Sequence, residues 1–524
     1  MQYEIEKHNL FVKTDEETAK LFDARWNEKR QSWLIPLTTG ALLELYNLTQ
    51  DEELKKIIVP RTALRMKFHE LKNRSDITGN SRLRPYQRVD VSFLKRLPHV
   101  AVFNEQRTGK TPTALQLVKE EGADRLIVVC PASLLHNWKK EVETWTHLSA
   151  IVYNGTPKQR EKKLTEFGSG NALIVSYDTL RGDVGKKELI LRAHSAHIIV
   201  DEAHILRNHK TARSKAIYTL GKKAKKRLAL TGTPSVEHGA DVFGILHFLY
   251  PERFPSYWGF IDRYFETKDG FFGGKQIGKA KREEELTEIL DLISVQRKRK
   301  DVMVWLPEKE YQVIEVDLDS KQRTAYKSML NTFEYEHVDA PSVLAQLTRL
   351  RQLCICPEVL KLDVPNTKEK ALFEWLENNP NTQVIIFSTF SSYLVKLRER
   401  LLKANYEVVM ITGSTTAKER KTAVDDFQKR GAHIFLGNIQ AAGAGLTLDK
   451  AEVCIFLDRD FTPGLNDQAE DRLIPTDESR VHSCTIIDIV AKDTVDQKIG
   501  EILRRKVSMS EIVNNYAKIR ELLK

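Results

Sequence analysis

Cysteine is scarce in this chain: five residues, at positions 130, 354, 356, 454 and 484 of 524. So small and scattered a set excludes a disulfide scaffold and implies a reducing compartment. Cys130, Cys454 and Cys484 stand in apolar runs and read as buried strand residues. Cys354 and Cys356 form one C-x-C without the second pair that a zinc site needs. Long hydrophobic runs are also missing. No stretch approaches the ~18 consecutive apolar residues of a membrane span, so no membrane contact is expected. The opening MQYEIEKHNLFVK lacks the basic-then-apolar layout of a secretory signal. A cytoplasmic protein is therefore expected, and the compact length points to a bacterial or phage-infected cell.

What is present describes a globular chain, with 41% hydrophobic and 29% charged residues. Its 524 residues exceed what one core can organise, and roughly three or four domains follow from length alone. The net charge of +10 favours an anionic partner, nucleic acid first.

Short β-branched runs alternate with longer amphipathic stretches along most of the chain. RLIVVC (125–130), ALIVS (172–176), HIIV (197–200) and RLAL (227–230) are continuous apolar runs, as strands buried on both faces should be. A second series comprises VIIFS (384–388), VVMI (408–411), HIFLG (433–437), VCIFLD (453–458) and CTIIDI (484–489). Two such series predict two α/β domains built on parallel sheets. Residues 256–310, aromatic and then charged, read as an insertion of loops and helices without sheet. Residues 1–75 form a small separate unit, and the sequence after the second series is helical to its end.

NEQRTGKT (104–111) departs by one residue from the phosphate-loop pattern G-x-x-x-x-G-K-[ST], with Asn104 at the first glycine. The tripeptide GKT is too common to prove anything, but its surroundings are informative. HVAVF supplies a strand before it, and an amphipathic helix opens at Thr111. Strand, loop and helix aim backbone N–H groups and a helix N-terminus at a bound anion. Lys110 would neutralise the outer phosphates, and Thr111 would hold Mg²⁺ through its hydroxyl. Asn104 is expected to supply a positive φ. About ninety residues on, HIIVDEAH places Asp201 and Glu202 at the end of a buried strand. An acid there, facing a phosphate loop, suits Mg²⁺ coordination, and Glu202 suits the base that deprotonates an attacking water.

These pieces, in this order, resemble superfamily 2 helicases, specifically the Swi/Snf-type DNA translocases. LRPYQ (83–87) is similar to the family's adenine-reading segment, which makes Arg84 and Gln87 nucleotide contacts by resemblance. VVCPASLLHNWKKE (128–141) resembles its strand-tracking motif, LALTGTP (228–234) its coupling motif, and DEAHILRN (201–208) its acidic motif. VIIFSTF (384–390), AAGAGLTL (441–448) and DRDFTPGLNDQAEDR (458–472) resemble the second-lobe motifs, and ISVQRKRKDVMVWLPEK (293–309) the segment joining the lobes. RNHKTARSKA and QAEDR look most like the annealing-helicase, or HARP, branch. LFDARWNEKRQSWLIP (21–36) resembles that branch's small DNA-binding repeat, whose Trp26 and Trp33 could equally pack a mini-domain core.

The resemblance implies an α/β fold of two RecA-like lobes. The implied boundaries are a small N-terminal α+β domain (1–75), lobe 1 (76–255), a helical insertion and linker (256–365), lobe 2 (366–490) and C-terminal helices (491–524). It implies ATP and Mg²⁺ in the cleft between lobes. Arg84, Gln87, Thr108, Gly109, Lys110, Thr111 and Gly445 would hold nucleotide, Thr111 and Asp201 the metal, and Arg472 would act as the finger from lobe 2. Catalysis would rest on Lys110, Asp201, Glu202 and Arg472. Ser133, Asn137, Trp138, Ser388, Thr389 and Thr447 are the implied DNA contacts, made without sequence specificity. Basic runs at Lys222, Lys223, Lys225, Lys226 and Arg227 and at Arg297 to Lys300 would add salt-sensitive affinity. Three departures from the family pattern matter, of which Asn104 in place of an acid is the mild one. Arg107 replaces a family glycine and would reach phosphate or DNA. Pro475 replaces a second arginine, for which Arg459 and Arg480 are candidate substitutes. Three functions stay open on sequence: a translocase that remodels forked or branched DNA, a strand-separating helicase, and a non-enzymatic scaffold.

Overall fold

A strand covered by helices on both faces has no solvent side, so its residues need not alternate in polarity. Six strands of the first parallel sheet fit this description. The computed structural model describes residues 2–6, 9–20, 24–36, 39–58, 70, 82–234, 239–269, 275–306, 308–442, 446–475 and 482–504. The chain divides into two units, Met1–Lys298 and Arg299–Lys524.

In the first unit, seven strands lie in the order Ser294–Val295, Val100–Val102, Lys226–Leu230, His197–Asp201, Arg125–Cys130, Asn171–Ser176, Ser149–Tyr153. All neighbours are parallel. Alternate side chains enter opposite cores: Ile127 and Val129 pack on one face, Leu126, Val128 and Cys130 on the other. The register matters most at the centre. Leu230 is opposite Val102 on one side and Asp201 on the other. The segments that follow these three strands therefore leave the same sheet edge, the usual ligand position in open α/β sheets.

The second unit carries a six-stranded parallel sheet in the order Lys309–Val316, Cys484–Ala491, Val453–Phe456, Val384–Ser388, Ile434–Asn438, Val408–Ile411. The α/β class and the two parallel sheets agree with the sequence reading. All five cysteines are free thiols in buried positions.

Residues 256–310 correct the expectation of an insertion without sheet. Phe265–Asp269 and Lys275–Ala280 form an antiparallel hairpin. Ser294–Val295 adds the edge strand of the first sheet, and Lys309–Val316 adds that of the second. The hairpin FETKD/KQIGKA is mostly polar, so it shows no apolar run, and two residues are too few to show a period. Within 1–75, Gln2–Glu6, Asn9–Lys13, Ser32–Pro36 and Arg25–Asn27 make an antiparallel sheet beside the helix Thr39–Thr49. Its core is Leu10, Val12, Ile35, Leu42, Leu45, Leu54 and Ile58. Trp26 is 48% exposed and meets Trp33 edge-on at 5.3 Å, outside that core. At the other terminus the described helix is Val495–Arg504, and the expected helical continuation lies outside the described residues.

The basic run at 222–227 divides on inspection. Lys222, Lys223 and Lys225 are exposed, but Lys226 and Arg227 are buried, so these last two supply no surface for DNA. They begin a strand that is buried throughout. Lys226 donates to Leu94 O (3.1 Å) and pairs with Glu121, whose other oxygen lies 2.7 Å from His197 Nε2. This triad ties the helix Pro85–Leu94 to two central strands. Removing a shared acceptor strands buried basic groups, a loss of about 3–5 kcal/mol. Glu121→Ala is expected to lower stability by that amount, read as a lower urea midpoint with unchanged slope.

Candidate nucleotide-binding site

The loop after Val102 is held open by the edge strand beside it. Phe103 N donates to Val295 O (2.8 Å) and Glu105 N to Arg297 O (2.9 Å), so ladder bonding continues past the sheet. Asn104 does not take the positive φ expected of it. It is fully buried, and its Nδ2 donates to Asp90 Oδ2 at 2.9 Å. Arg297 grips the other oxygen of Asp90, with Nε at 2.8 Å and Nη2 at 2.7 Å. The left-handed residues are instead Arg107 (φ 66°) and Gly109 (φ 78°). Arg107 thus adopts the conformation its family's glycine would. Thr108 Oγ1 donates back to Glu105 O at 2.6 Å, tightening the turn.

Lys110 opens the helix Lys110–Glu120, which has Gly109 as its N-cap. Its Nζ donates to Asn104 O (3.0 Å) and Glu105 O (3.3 Å), so the ammonium sits within the curl of its own loop. Gly232, from the segment after Leu230, comes close: a Cβ there would lie 3.4 Å from Lys110 Nζ. Thr111 is half-buried in the first helical turn.

Gln87 was expected to read adenine. The structure buries it behind the loop, where Nε2 donates to Thr108 O (3.1 Å) and Oε1 accepts from Arg84 N (2.8 Å). Tyr86 Oη adds a bond to Thr108 O at 2.7 Å. The helix Pro85–Leu94 therefore braces the phosphate loop from below.

Asp201 and Glu202 stand on the same edge. Asp201 is buried, with Oδ2 accepting from Trp138 Nε1 (2.8 Å) and Oδ1 from Glu202 N (3.0 Å). Tyr177 Oη donates to the carbonyl of Asp201. Burial, with the charge of Glu202 added to it, pushes the Asp201 carboxyl up to about 7, against the pull of Trp138 and Lys110. The site thus has a buried acid with a cation near it and charge left to neutralise. Glu202 takes a left-handed backbone conformation (φ 53°), and its Oε2 lies 3.3 Å from His204 Nδ1. That same nitrogen lies 3.2 Å from Thr231 Oγ1, which links the acid to the third strand end. A carboxylate and a threonine hydroxyl are hard oxygen donors of the kind Mg²⁺ takes, in a site where substrate phosphates supply most other ligands. The residues fit that ion.

Trp138 is a correction. As an implied DNA contact it should reach solvent, but it is 1% exposed and faces Asp201. Ser133 and Asn137, near it in sequence, are exposed. Ser388 is a second correction: it ends a fully buried strand and donates to Asp458 Oδ1 at 2.6 Å. Thr389 is half-buried and also bonds Asp458, through its backbone N at 3.1 Å and through its hydroxyl. Thr447 is exposed. Arg472 is 9% exposed and donates to Gln468 O and Leu446 O, both at 2.8 Å. Its neighbour Asp471 pairs with Arg299 and Lys309, each at 2.9 Å. Of the basic run 297–300, Arg297 and Arg299 are thus engaged by carboxylates, while Lys298 and Lys300 are exposed. Arg459, a candidate second arginine, is fixed by Asp488 (2.7 Å) and Glu470 (2.6 Å) over the Phe456 ring. Arg480 and Gly445 lie outside the described residues.

Asp90 escaped the sequence reading, and Arg297 was read only as part of a basic run for DNA. Asp90 lies one helical turn after Gln87, a spacing that puts both under the loop. Arg297 sits in a basic run that carries no such signal. The loop's tightest point is Gly109, where an added Cβ would lie 2.1 Å from Gln87 Nε2. Gly109→Ala combines that clash with a left-handed cost of roughly 1–2 kcal/mol. It is expected to weaken nucleotide binding about tenfold or more, as a titration with a fluorescent ATP analogue would register.

Comparison with known proteins finds family matches along most of the chain. The family model described as SNF2-related domain matches residues 41–359, and that for the helicase conserved C-terminal domain matches 367–474. The human DNA annealing helicase and endonuclease ZRANB3 is 27% identical over 457 residues, covering 82% of this chain and 40% of that protein. The Caenorhabditis elegans SWI/SNF-related matrix-associated actin-dependent regulator of chromatin subfamily A-like protein 1 homolog is 26% identical over 440 residues, covering 82% and 61%. This chain therefore spans less than two thirds of either relative. Both are eukaryotic, and they lend no support to the expected bacterial or phage source. The solved Sulfolobus solfataricus SWI2/SNF2 ATPase core in complex with dsDNA is 24% identical and covers 86% of this chain and 96% of that one. The TM-score between the two is 0.38. Among the described residues no helix is long and apolar enough to cross a membrane. With the matched model covering well over half its length, the chain belongs to the SNF2-related family.

Proposed function

We propose that this chain hydrolyses ATP to move along duplex DNA, without sequence preference, and so remodels forked or branched DNA by branch migration, strand annealing or fork reversal. The observation that carries the ATPase part is the meeting of Lys110, Asp201 and Glu202 at one sheet edge, set by the shared register of Leu230 with Val102 and Asp201. The departures at 104 and 107 leave the cradle standing: Asn104 anchors to Asp90, and Arg107 accepts the left-handed turn. This argues against a scaffold with a dead motor. The branched-DNA part is supported by similarity to a protein named as an annealing helicase.

In this reading the backbone N–H groups around Thr108 and Gly109, with those of the first helical turn, bind the triphosphate. Lys110 leaves the carbonyls of Asn104 and Glu105 for phosphate oxygens. Arg84 and Gln87 support the nucleotide end of the loop, and Gly445 contributes from the second family segment. Mg²⁺, held by Thr111 and Asp201, would neutralise phosphate charge. Glu202 takes the proton of the attacking water, with His204 beside it to steady the carboxylate. Arg472 is assigned to the charge that develops on the transferred phosphoryl group. Ser133, Asn137, Thr389 and Thr447 are assigned to phosphates of the DNA backbone, contacts that position without reading sequence.

Phosphate release stimulated by duplex DNA tests the motor. Lys110→Ala and Glu202→Gln should each lower it by about 10²–10⁴-fold; two variants that match the parent would sink the enzyme reading. Rates across single-stranded, duplex, forked and four-way DNA test the substrate. The forked and four-way forms should stimulate most, and forked strands should anneal in the presence of ATP. Net displacement of a strand instead would favour a strand-separating helicase.

A further inference from the structure

The helix Leu135–Trp145 has two faces with different business. Leu134, Leu135, Trp138 and Val142 enter the core, while Ser133, His136 and Asn137 are exposed at its start. Trp138 crosses that core to donate its indole N–H to Asp201 Oδ2 at 2.8 Å, a bond between residues 63 apart in sequence. The other oxygen of Asp201 takes Glu202 N at 3.0 Å. The bond from Glu202 N orients the carboxylate from its own strand, and the bond from Trp138 comes from the helix that carries the exposed residues.

We propose that Trp138 is a positioning residue that links the exposed 133–137 segment to the Asp201 carboxylate, so that duplex DNA seated on Ser133 and Asn137 acts on hydrolysis through this one hydrogen bond. The proposal rests on the translocase reading above. An indole suits the task on chemical grounds. It donates and cannot accept, and it carries no charge, so it fixes a carboxylate without competing for a cation. Its ring fills the core rigidly, so a small shift of the helix is passed to the N–H and not absorbed by rotamer change. Asn137 adjoins Trp138 in the chain, so a DNA contact at one moves the backbone of the other.

The test uses the full chain with Trp138→Phe and Trp138→benzothienylalanine, the latter keeping the bicyclic shape and replacing N–H by sulfur. Three quantities are read: duplex affinity by anisotropy, binding of a fluorescent ADP with and without Mg²⁺, and the ratio of duplex-stimulated to basal ATPase. Duplex affinity and Mg²⁺-free nucleotide binding should stay within about twofold of the parent. The Mg²⁺ concentration for half-maximal binding should rise about tenfold, the worth of one hydrogen bond to a charged group. The stimulation ratio should fall by a similar factor in both variants. A ratio that holds while basal and stimulated rates fall together overturns the link. A loss of duplex affinity makes Trp138 a DNA contact, and no change in the benzothienyl variant makes it a core filler; either overturns the proposal. A parent chain that duplex DNA fails to stimulate sinks the translocase reading separately, and the Mg²⁺ titration still decides whether Trp138 orients Asp201.

Discussion

Register between three parallel strands is the constraint on which the site depends. Leu230 lies opposite both Val102 and Asp201, so three chain segments with unrelated sequences turn away from the sheet at one height. Nothing local to the phosphate loop could bring Glu202 or Gly232 to it. A slip of one residue would exchange the faces of a strand that packs on both sides, placing Ile199 where Ile198 belongs. The two cores thus oppose any movement that would pull the loop and the acids apart.

Around that edge, the first unit handles buried charge by sharing it. Asp90 sits beneath the loop with one oxygen on Asn104 and the other on Arg297. Glu121 serves both Lys226 and His197. In the second unit Asp458 takes Ser388, Thr389 and Arg351. Each is a carboxylate that would be costly to bury alone and is retained because several donors converge on it. Asp201 is the exception, since burial outweighs its partners and lifts its carboxyl. A buried carboxylate whose charge its neighbours do not balance is the kind of group a cation satisfies.

Much of this was legible in the sequence, for reasons that particular residues make clear. Arg125–Cys130 and Val384–Ser388 coincide with apolar runs because they lie buried between two layers of helices, while Val408–Ile411, at the sheet edge, is apolar although its two middle residues are only partly buried. Lys110, Asp201 and Glu202 follow from motifs whose chemistry admits few substitutes. What escaped depends on direction more than on identity. Trp138 is a strong residue in a strong motif, but only its spacing from Leu134 and Val142 tells that it points inward. Ser388 looked available because it is polar, yet it closes a strand with no exposed residue. Asn104 was given a backbone role, while the structure uses its amide. Edge strands such as Ser294–Val295 are pinned by backbone pairing to a neighbour far off in sequence, which no side-chain pattern records.

The five thiols lead to a practical consequence. Cys130, Cys354, Cys356, Cys454 and Cys484 are all buried, and burial holds the first three and Cys454 above the usual thiol range. Reagents that need an accessible thiolate will pass over the folded chain. A single cysteine introduced on an exposed site, such as Lys222 or Lys300, would then be the one position a maleimide dye reaches, and motion could be followed optically without first stripping the native residues.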